Sequence, residues 1–387
     1  MTTQCFCRNQ KIELSRKIRR YALPRGATLH TKKFYDWSSS LSTSNILICG
    51  GAGYIGSHMA QYLTERGDNV TVLDNLSTGH RDAVRWGELI EADLLSPESL
   101  ERAFTGRRFD AVMHFAARSL VGESVSQPYD YYANNVTGTL NLLEAMRRHD
   151  VNRIVFSSTA AVFGNPQADV IDEDHPKSPI NPYGASKLMA ERILADAAAA
   201  YGLRSTCLRY FNAAGALPDH GIGEAHACET HLIPNVLRAA LGIGSAMKVF
   251  GDDYATPDGT CVRDYVHVQD LAQAHALALG YMDHTPGAHA FNLGNGRGFS
   301  VREVIAAAGS VSGRSIPFEL AERRPGDPAS LVASSARARE VLGWQPQWTE
   351  LAPIIESAWQ WHRSPPAWSP QPPAPGMAPA AMDVLPA

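Results

Sequence analysis

Asn45-Ile46-Leu47-Ile48-Cys49-Gly50-Gly51-Ala52-Gly53-Tyr54-Ile55-Gly56 decides the fold, together with Val70-Thr71-Val72-Leu73-Asp74 downstream. Residues 46–49 are a short apolar run, the pattern of a strand buried on both faces of a parallel sheet. Residues 57–66 carry a helical pattern that stops at Gly67, and 70–73 read as a second strand. The unit is therefore βαβ. Glycines at 50, 53 and 56 allow a tight turn, close backbone approach to a pyrophosphate and close helix–strand packing. Their spacing is Gly-x-x-Gly-x-x-Gly, not Gly-x-Gly-x-x-Gly. A glycine loop alone is weak. A strand before it, a helix after it and an acid at the next strand end make it a dinucleotide turn. Asp74 lies 18 residues past Gly56. A carboxylate there accepts from ribose 2′- and 3′-hydroxyls and repels a 2′-phosphate, so NAD is expected over NADP. A simple turn cap is the alternative for Asp74.

The alternation continues outward. Residues 88–92 lead to Asp93-Leu94, and 110–115 form a further strand ending at His114-Phe115-Ala116-Ala117. Helical patterns cover 128–149 and 182–201. Strands at 153–156 and 204–208 lead to Ser157-Ser158-Thr159 and Arg209-Tyr210-Phe211-Asn212. Strands alternating with helices mean an α/β fold with a doubly wound parallel sheet. Ligands bind beyond the carboxyl ends of such strands, where Thr159 and Asn212 lie. A smaller C-terminal lobe is expected, with helices at 232–241, 271–281, 300–308, 336–342 and 351–361 and a strand at 290–293. The expected division is 45–212 with 262–295 for the nucleotide domain, and 213–261 with 296–363 for the second lobe.

Tyr183-Gly184-Ala185-Ser186-Lys187 carries the chemistry. Residues four apart share a helix face. An ammonium beside a phenol favours the phenolate, so Lys187 is expected to lower the Tyr183 pKa and make it a general base. An exposed helix pair gives the same pattern. The glycine turn upstream argues against that reading.

Composition excludes several classes. Hydrophobic content of 44% and charged content of 19% describe a globular protein, and a net charge of −4 gives no footprint for nucleic acid. Cys5, Cys7, Cys49, Cys207, Cys228 and Cys261 are scattered. They read as reduced thiols in a cytoplasmic protein rather than as a disulfide or zinc framework. No apolar run has the length of a membrane span. Residues 1–44 carry nine Lys/Arg and two Asp/Glu. This is compatible with a transit peptide, but without an h-region or cleavage pattern the expectation is a disordered extension or a misplaced start. Residues 364–387 are Pro/Ala-rich and read as a disordered tail.

These motifs resemble the extended short-chain dehydrogenase/reductase family, and within it the UDP-sugar 4-epimerases, over about 45–363. Further motifs that carry the resemblance are Asn134-Asn135-Val136, Asp258-Gly259-Thr260, Val262-Arg263-Asp264-Tyr265, Asn292-Leu293-Gly294 and Arg323-Arg324-Pro325-Gly326-Asp327. The resemblance implies a Rossmann-like NAD domain and reversible epimerisation at C4 of a UDP-sugar through a 4-keto intermediate. UDP-glucose and UDP-galactose are the expected pair; N-acetylated sugars, pentoses and uronic acids are alternatives. Tyr183 would take the proton of the 4-hydroxyl, Thr159 would hydrogen-bond the same oxygen, and Lys187 would hold the nicotinamide ribose. The implied cofactor contacts are Gly50, Gly53, Tyr54, Ile55, Gly56, Asp74, Asn75, Asp93, Leu94, Phe115, Ala116, Ala117, Asn134, Tyr183, Lys187 and Tyr210.

The implied substrate contacts are Asn212, Arg263 and Arg324 for the diphosphate, Asp327 for the ribose, and Leu232 and Phe250 for the uracil. An Arg263–Asp264 pair is the structural alternative for Arg263. His231 replaces an Asn near the diphosphate, either as a donor or as a loop residue. Leu331 replaces a bulky Tyr and leaves room beside C2. A homodimer through 128–149 and 182–201 is also implied. Ala160-Ala161 after Thr159 lack the acids that a 4,6-dehydratase needs, and a decarboxylase would carry a Glu there. A non-catalytic NAD-binding protein would not be expected to keep Thr159, Tyr183 and Lys187.

Overall fold

The structure, a computed structural model, describes residues 43–243, 247–324 and 327–369. The basic extension up to residue 42, the tail beyond 369, Cys5, Cys7, Pro325 and Gly326 lie outside the described residues. β1 (Asn45–Cys49) leads through the glycine turn into α1 (Tyr54–Arg66), which ends at Gly67 with φ +98°. β2 (Asn69–Asp74) and β3 (Glu88–Glu91) follow. α2 (Pro97–Phe104) starts where Ser96 caps the Ser99 amide and Pro97 supplies a first-turn residue that needs no donor. β4 (Ala111–His114) comes next.

The helix expected over 128–149 runs without interruption from Pro128 to Arg148 but carries a π-helical stretch in its middle. α3 (Val121–Ser126) precedes it, and the helix itself comprises α4 (Pro128–Tyr131), the π-helical stretch Tyr132–Thr137 and α5 (Gly138–Arg148). Pro128 has no amide to continue a ladder and so starts a new helix. Within the π-helical stretch Asn135 is buried. It exchanges hydrogen bonds with the Arg118 backbone and donates to Ser186 Oγ at 3.0 Å. Local sequence carries no signal for that long-range anchor.

β5 (Arg153–Thr159) and β6 (Arg204–Tyr210) flank α6 (Pro182–Tyr201) in sequence. Both strands outrun their apolar cores, because Ser157, Ser158 and Thr159 pair with Leu208, Arg209 and Tyr210. The polar strand ends are ladder-paired and buried, so hydrophobic pattern alone under-reads them. Asn181 caps α6 by accepting from the Gly184 amide at 2.8 Å. The remaining elements are β7 (Asn212–Ala214), α7 (Leu232–Leu241), β8 (Met247–Phe250), β9 (Val262–His267), α8 (Val268–His284), β10 (Ala288–Leu293), β11 (Gly298–Ser300), α9 (Val301–Ser312), β12 (Phe318–Ala321), β13 (Ser330–Leu331) and α10 (Leu351–Arg363). Ser300 and Glu303 form a capping box at the start of α9.

The main sheet runs β10-β6-β5-β4-β1-β2-β3, all parallel. This is a doubly wound, Rossmann-like sheet. Successive β1 side chains serve opposite layers. Ile46 and Ile48 pack with Met59 and Leu63 of α1 and Leu271 and Leu279 of α8. Leu47 and Cys49 pack with Phe104 of α2, Leu142 of α5 and Leu194 of α6. The strand order reverses between the adjacent strands β1 and β4, which opens a crevice at their carboxyl ends. β9 pairs with β7, β11 and β13 in a second sheet, and β8 pairs with β12. α7, α9 and α10 share a third apolar cluster with Val249 and Tyr265. No described helix is long and apolar enough to cross a membrane.

Candidate active site

Thr159 ends β5 and Tyr183 opens α6. The Thr159 hydroxyl lies near enough to the Tyr183 phenol to favour its phenolate. Gly184 makes this approach possible, since a Cβ there would lie 2.4 Å from the Ala161 carbonyl oxygen. Tyr131 meets the Tyr183 ring edge-on at 6.5 Å.

The expected effect of Lys187 on Tyr183 is not what the structure shows. Burial raises the Tyr183 pKa, and the nearby Thr159 hydroxyl only partly offsets this. Lys187 instead donates to the Ser157 carbonyl at 2.9 Å and lies 4.7 Å over the Phe156 ring. Burial lowers its pKa to about 7, with Cys207 and Glu191 acting in the other direction. A desolvated ammonium loses the charge that would have acted on the phenol.

An unfolded lysine titrates near 10.4, so between about pH 7 and pH 10 the unfolded chain holds more protons than the folded one. Stability of the cofactor-free protein therefore rises with pH through that window. The urea midpoint of the parent should climb from pH 7 to pH 9 relative to a Lys187→Met variant. Parallel pH profiles for the two proteins would refute the lowered pKa.

Residues of the cofactor turn are brought together as expected. Gly50 has φ +81°, and a Cβ on it would sit 2.5 Å from the Ala116 amide. A Cβ on Gly56 would sit 2.1 Å from the Gly50 carbonyl oxygen. Gly53 precedes α1, no side chain caps it, and the first turn carries no acid. Its free amides suit a pyrophosphate. Asp74 accepts from Ala52 N at 2.9 Å and Leu76 N at 2.8 Å. It is thus a turn cap, and each oxygen keeps a second lone pair for a ribose hydroxyl. Burial raises its pKa.

Asn75 donates to Asp93 at 3.1 Å, joining the ends of β2 and β3. Leu94 is buried. Phe115 and Ala116 donate to the Cys49 carbonyl, and Ala117 follows on the same loop. Asn134 holds the Asn135 side chain at 2.9 Å. Tyr54 donates to the Gly215 carbonyl at 2.6 Å, and Ile55 packs on the α1 side of the core. Tyr210 is hydrogen-bonded to Ser157 Oγ. The glycine turn, the uncapped start of α1 and Asp74 fit NAD.

The substrate candidates form smaller groups. Arg263 on β9 pairs with Asp327 and donates to the Pro328 carbonyl at 3.0 Å. The alternative Arg263–Asp264 pair is not formed. Asp264 points into the core and accepts from the amides of Asn295, Gly296 and Ala333. Burial lifts its pKa to about 6. Leu331 on β13 is the ladder partner of Arg263. Arg324 lies 4.0 Å over the Phe250 ring, and its Nε has no protein partner. Asn212 donates to the Asp264 carbonyl at 2.9 Å. Leu232 starts α7. His231 precedes it and faces Glu224 and Glu229. Burial opposes charge on that imidazole, but the two carboxylates outweigh it and raise its pKa.

Sequence reasoning passed over Glu191, which binds Arg209 and Ser158 beneath the Thr159–Tyr183 pair. The Tyr-x-x-x-Lys stretch on the same helix held the only local signal. It also passed over Glu224, His226 and Glu229, although their spacing with His231 was legible.

Residues 46–294 match the NAD dependent epimerase/dehydratase family. The chain is 52% identical over 321 residues to a UDP-glucose 4-epimerase of Halalkalibacterium halodurans, covering 83% of this chain and 96% of that one. It superposes on the UDP-glucose 4-epimerase of Brucella ovis in complex with NAD with a TM-score of 0.80, at 49% identity, over 82% of this chain and 98% of that one. The UDP-Glc/GlcNAc 4-epimerase of Campylobacter jejuni gives a TM-score of 0.74 at 43% identity, over 83% and 99% of the two chains. The chain belongs to the NAD dependent epimerase/dehydratase family.

Proposed function

We propose that this protein is an NAD-dependent UDP-glucose 4-epimerase that interconverts UDP-glucose and UDP-galactose. Its main support is the Thr159–Tyr183 hydroxyl pair at the mouth of a dinucleotide crevice, in a chain 52% identical to a UDP-glucose 4-epimerase. Bound NAD supplies a hydride acceptor and donor for C4 of the sugar. Gly50, Gly53 and Gly56 would lie against its pyrophosphate, Asp74 against the adenosine ribose and Lys187 against the nicotinamide ribose.

Tyr183 holds the proton of the sugar 4-hydroxyl at its phenolic oxygen, and Thr159 orients that oxygen. The phenol is neutral when buried without a cation beside it, and a cationic ring adjacent to it favours the phenolate. Arg263, Arg324 and Asn212 hold the diphosphate. A guanidinium stacked on Phe250 with a free Nε offers a fixed donor to a phosphate oxygen. Asp327, released from Arg263, accepts from the uridine ribose. Leu232 and Phe250 border the uracil.

We place the protein in the cytoplasm, in line with free Cys49, Cys207, Cys228 and Cys261. We read it as a homodimer. Leu140 on α5 and Met189 on α6 are both exposed and lie on the helices that would meet.

Purified protein given UDP-glucose without added reductant should form UDP-galactose, followed by NMR. UDP-N-acetylglucosamine in parallel reports how much room Leu331 leaves beside C2. No turnover of either sugar by protein that retains NAD would refute the hexose assignment.

A further inference from the structure

The loop between β7 and α7 gathers four side chains whose arrangement the reaction does not explain. Glu224, His226, Glu229 and His231 follow the spacing Glu-x-His-x-x-Glu-x-His. One ligand atom from each lies within 4.8 Å of the others. Both imidazoles present Nδ1. Glu224 Oε1 is 2.6 Å from His231 Nδ1 and 3.3 Å from His226 Nδ1. Glu229 divides its oxygens, with Oε1 3.2 Å from His231 and Oε2 3.5 Å from His226. Four nitrogen and oxygen donors around a tetrahedral zinc ion sit about 3.3 Å apart.

Two further observations separate this group from a surface charge cluster. The carboxylate side chains of Glu224 and Glu229 are 5% and 3% exposed. Glu224 Oε1 and His231 Nδ1 are close, yet neither has a hydrogen-bond partner. The imidazole edge is not aligned to donate to the carboxylate, as expected when both atoms aim at a common centre. A buried carboxylate oxygen without a donor is costly unless something else satisfies it.

We infer that Glu224, His226, Glu229 and His231 bind one divalent transition-metal ion of the zinc type. Two imidazoles with two carboxylates suit zinc, whereas magnesium and calcium prefer oxygen-only sets. Four protein ligands close the coordination sphere, so the site is structural. The surrounding contacts show what it would hold. The Glu224 carbonyl accepts from Trp361 Nε1 of α10 at 2.8 Å, and the Ala225 carbonyl accepts from His80 Nε2 at 2.7 Å. His226 lines a small cleft with Gly53, Tyr54 and Ser57 of the cofactor turn. His231 immediately precedes Leu232, the first residue of α7. The ion thus ties the loop beside the cofactor turn to the helix that carries a uracil contact.

Full-length protein, purified without a polyhistidine tag or chelator, is assayed for zinc by mass spectrometry. It is then stripped with dipicolinate and titrated with cobalt and with zinc. About one zinc per chain is expected, with a tetrahedral cobalt absorption band and a thermal midpoint that falls on stripping and recovers with zinc. Glu224→Gln and His226→Gln should each weaken zinc binding beyond the 10–100-fold typical of outer-shell partners. Stripped parent protein with neither a cobalt band nor a midpoint response would overturn the site and leave two half-exposed imidazoles paired with two buried carboxylates. Equal cobalt affinity in the parent and a folded Glu224→Gln variant would overturn it as well. The parent titration decides the matter if the variants fail to fold, and none of these readouts depends on epimerase activity.

Discussion

Tyr183→Phe should lower the turnover of UDP-glucose by about 10²–10⁴-fold while the protein stays folded and keeps its NAD. The substitution removes only the hydroxyl that would hold the sugar proton. The ring and its edge-on contact with Tyr131 remain, and Thr159 keeps its bond from the Ala161 amide at 3.2 Å. The check is kcat by NMR alongside cofactor content by absorbance. A loss below tenfold would mean that another group moves the proton. Loss of NAD together with activity would mean that the hydroxyl is structural.

Glu191→Ala should cost about 3–5 kcal/mol of folding stability. Arg209 and Glu191 have side chains 5% and 9% exposed. They form a two-pronged pair at 2.8 and 2.6 Å, and Ser158 Oγ adds a third bond to the carboxylate at 2.6 Å. Arg209 also lies 5.4 Å from the Phe163 ring centre. Removing Glu191 strands a guanidinium in low dielectric, where it can neither reach water nor deprotonate. The pair joins α6, which carries Tyr183 and Lys187, to the ends of β5 and β6. Its loss should therefore lower kcat as well. Urea denaturation measures the first effect. A Glu191→Leu, Arg209→Met double variant should recover most of the stability, because it removes both charges. A single variant that loses less than about 1 kcal/mol would show that water reaches Arg209.

Much of the fold was legible because it is written locally. The apolar run 46–49, the glycines after it and Asp74 closing the next strand describe one βαβ unit without reference to the rest of the chain. Asn181 caps the start of α6 and Gly202 ends it, and such caps act within one turn. The same logic placed the helix of 128–149, which starts at Pro128. It missed the π-helical stretch inside that helix, whose buried Asn135 anchors to Ser186, 51 residues away.

The site divides along the same line. Residue types and spacing put Thr159 and the glycine turn at strand ends, where ligands bind, and Tyr183 and Lys187 on one helix. Only the tertiary structure decided how they are tuned and paired. Lys187 bonds a backbone carbonyl and loses basicity to burial, because desolvation depends on every element packed around it. Arg263 pairs with Asp327, 64 residues on, rather than with its neighbour Asp264. Successive residues of β9 face opposite sides of their sheet, which sends Asp264 to the backbone amides of another loop. Elements follow from short-range periodicity and capping, and both can be read along the chain without its fold. Charge partners, pKa values and the Glu224–His231 cluster follow from which surfaces the packed elements bring together, and that is set only once the chain has folded.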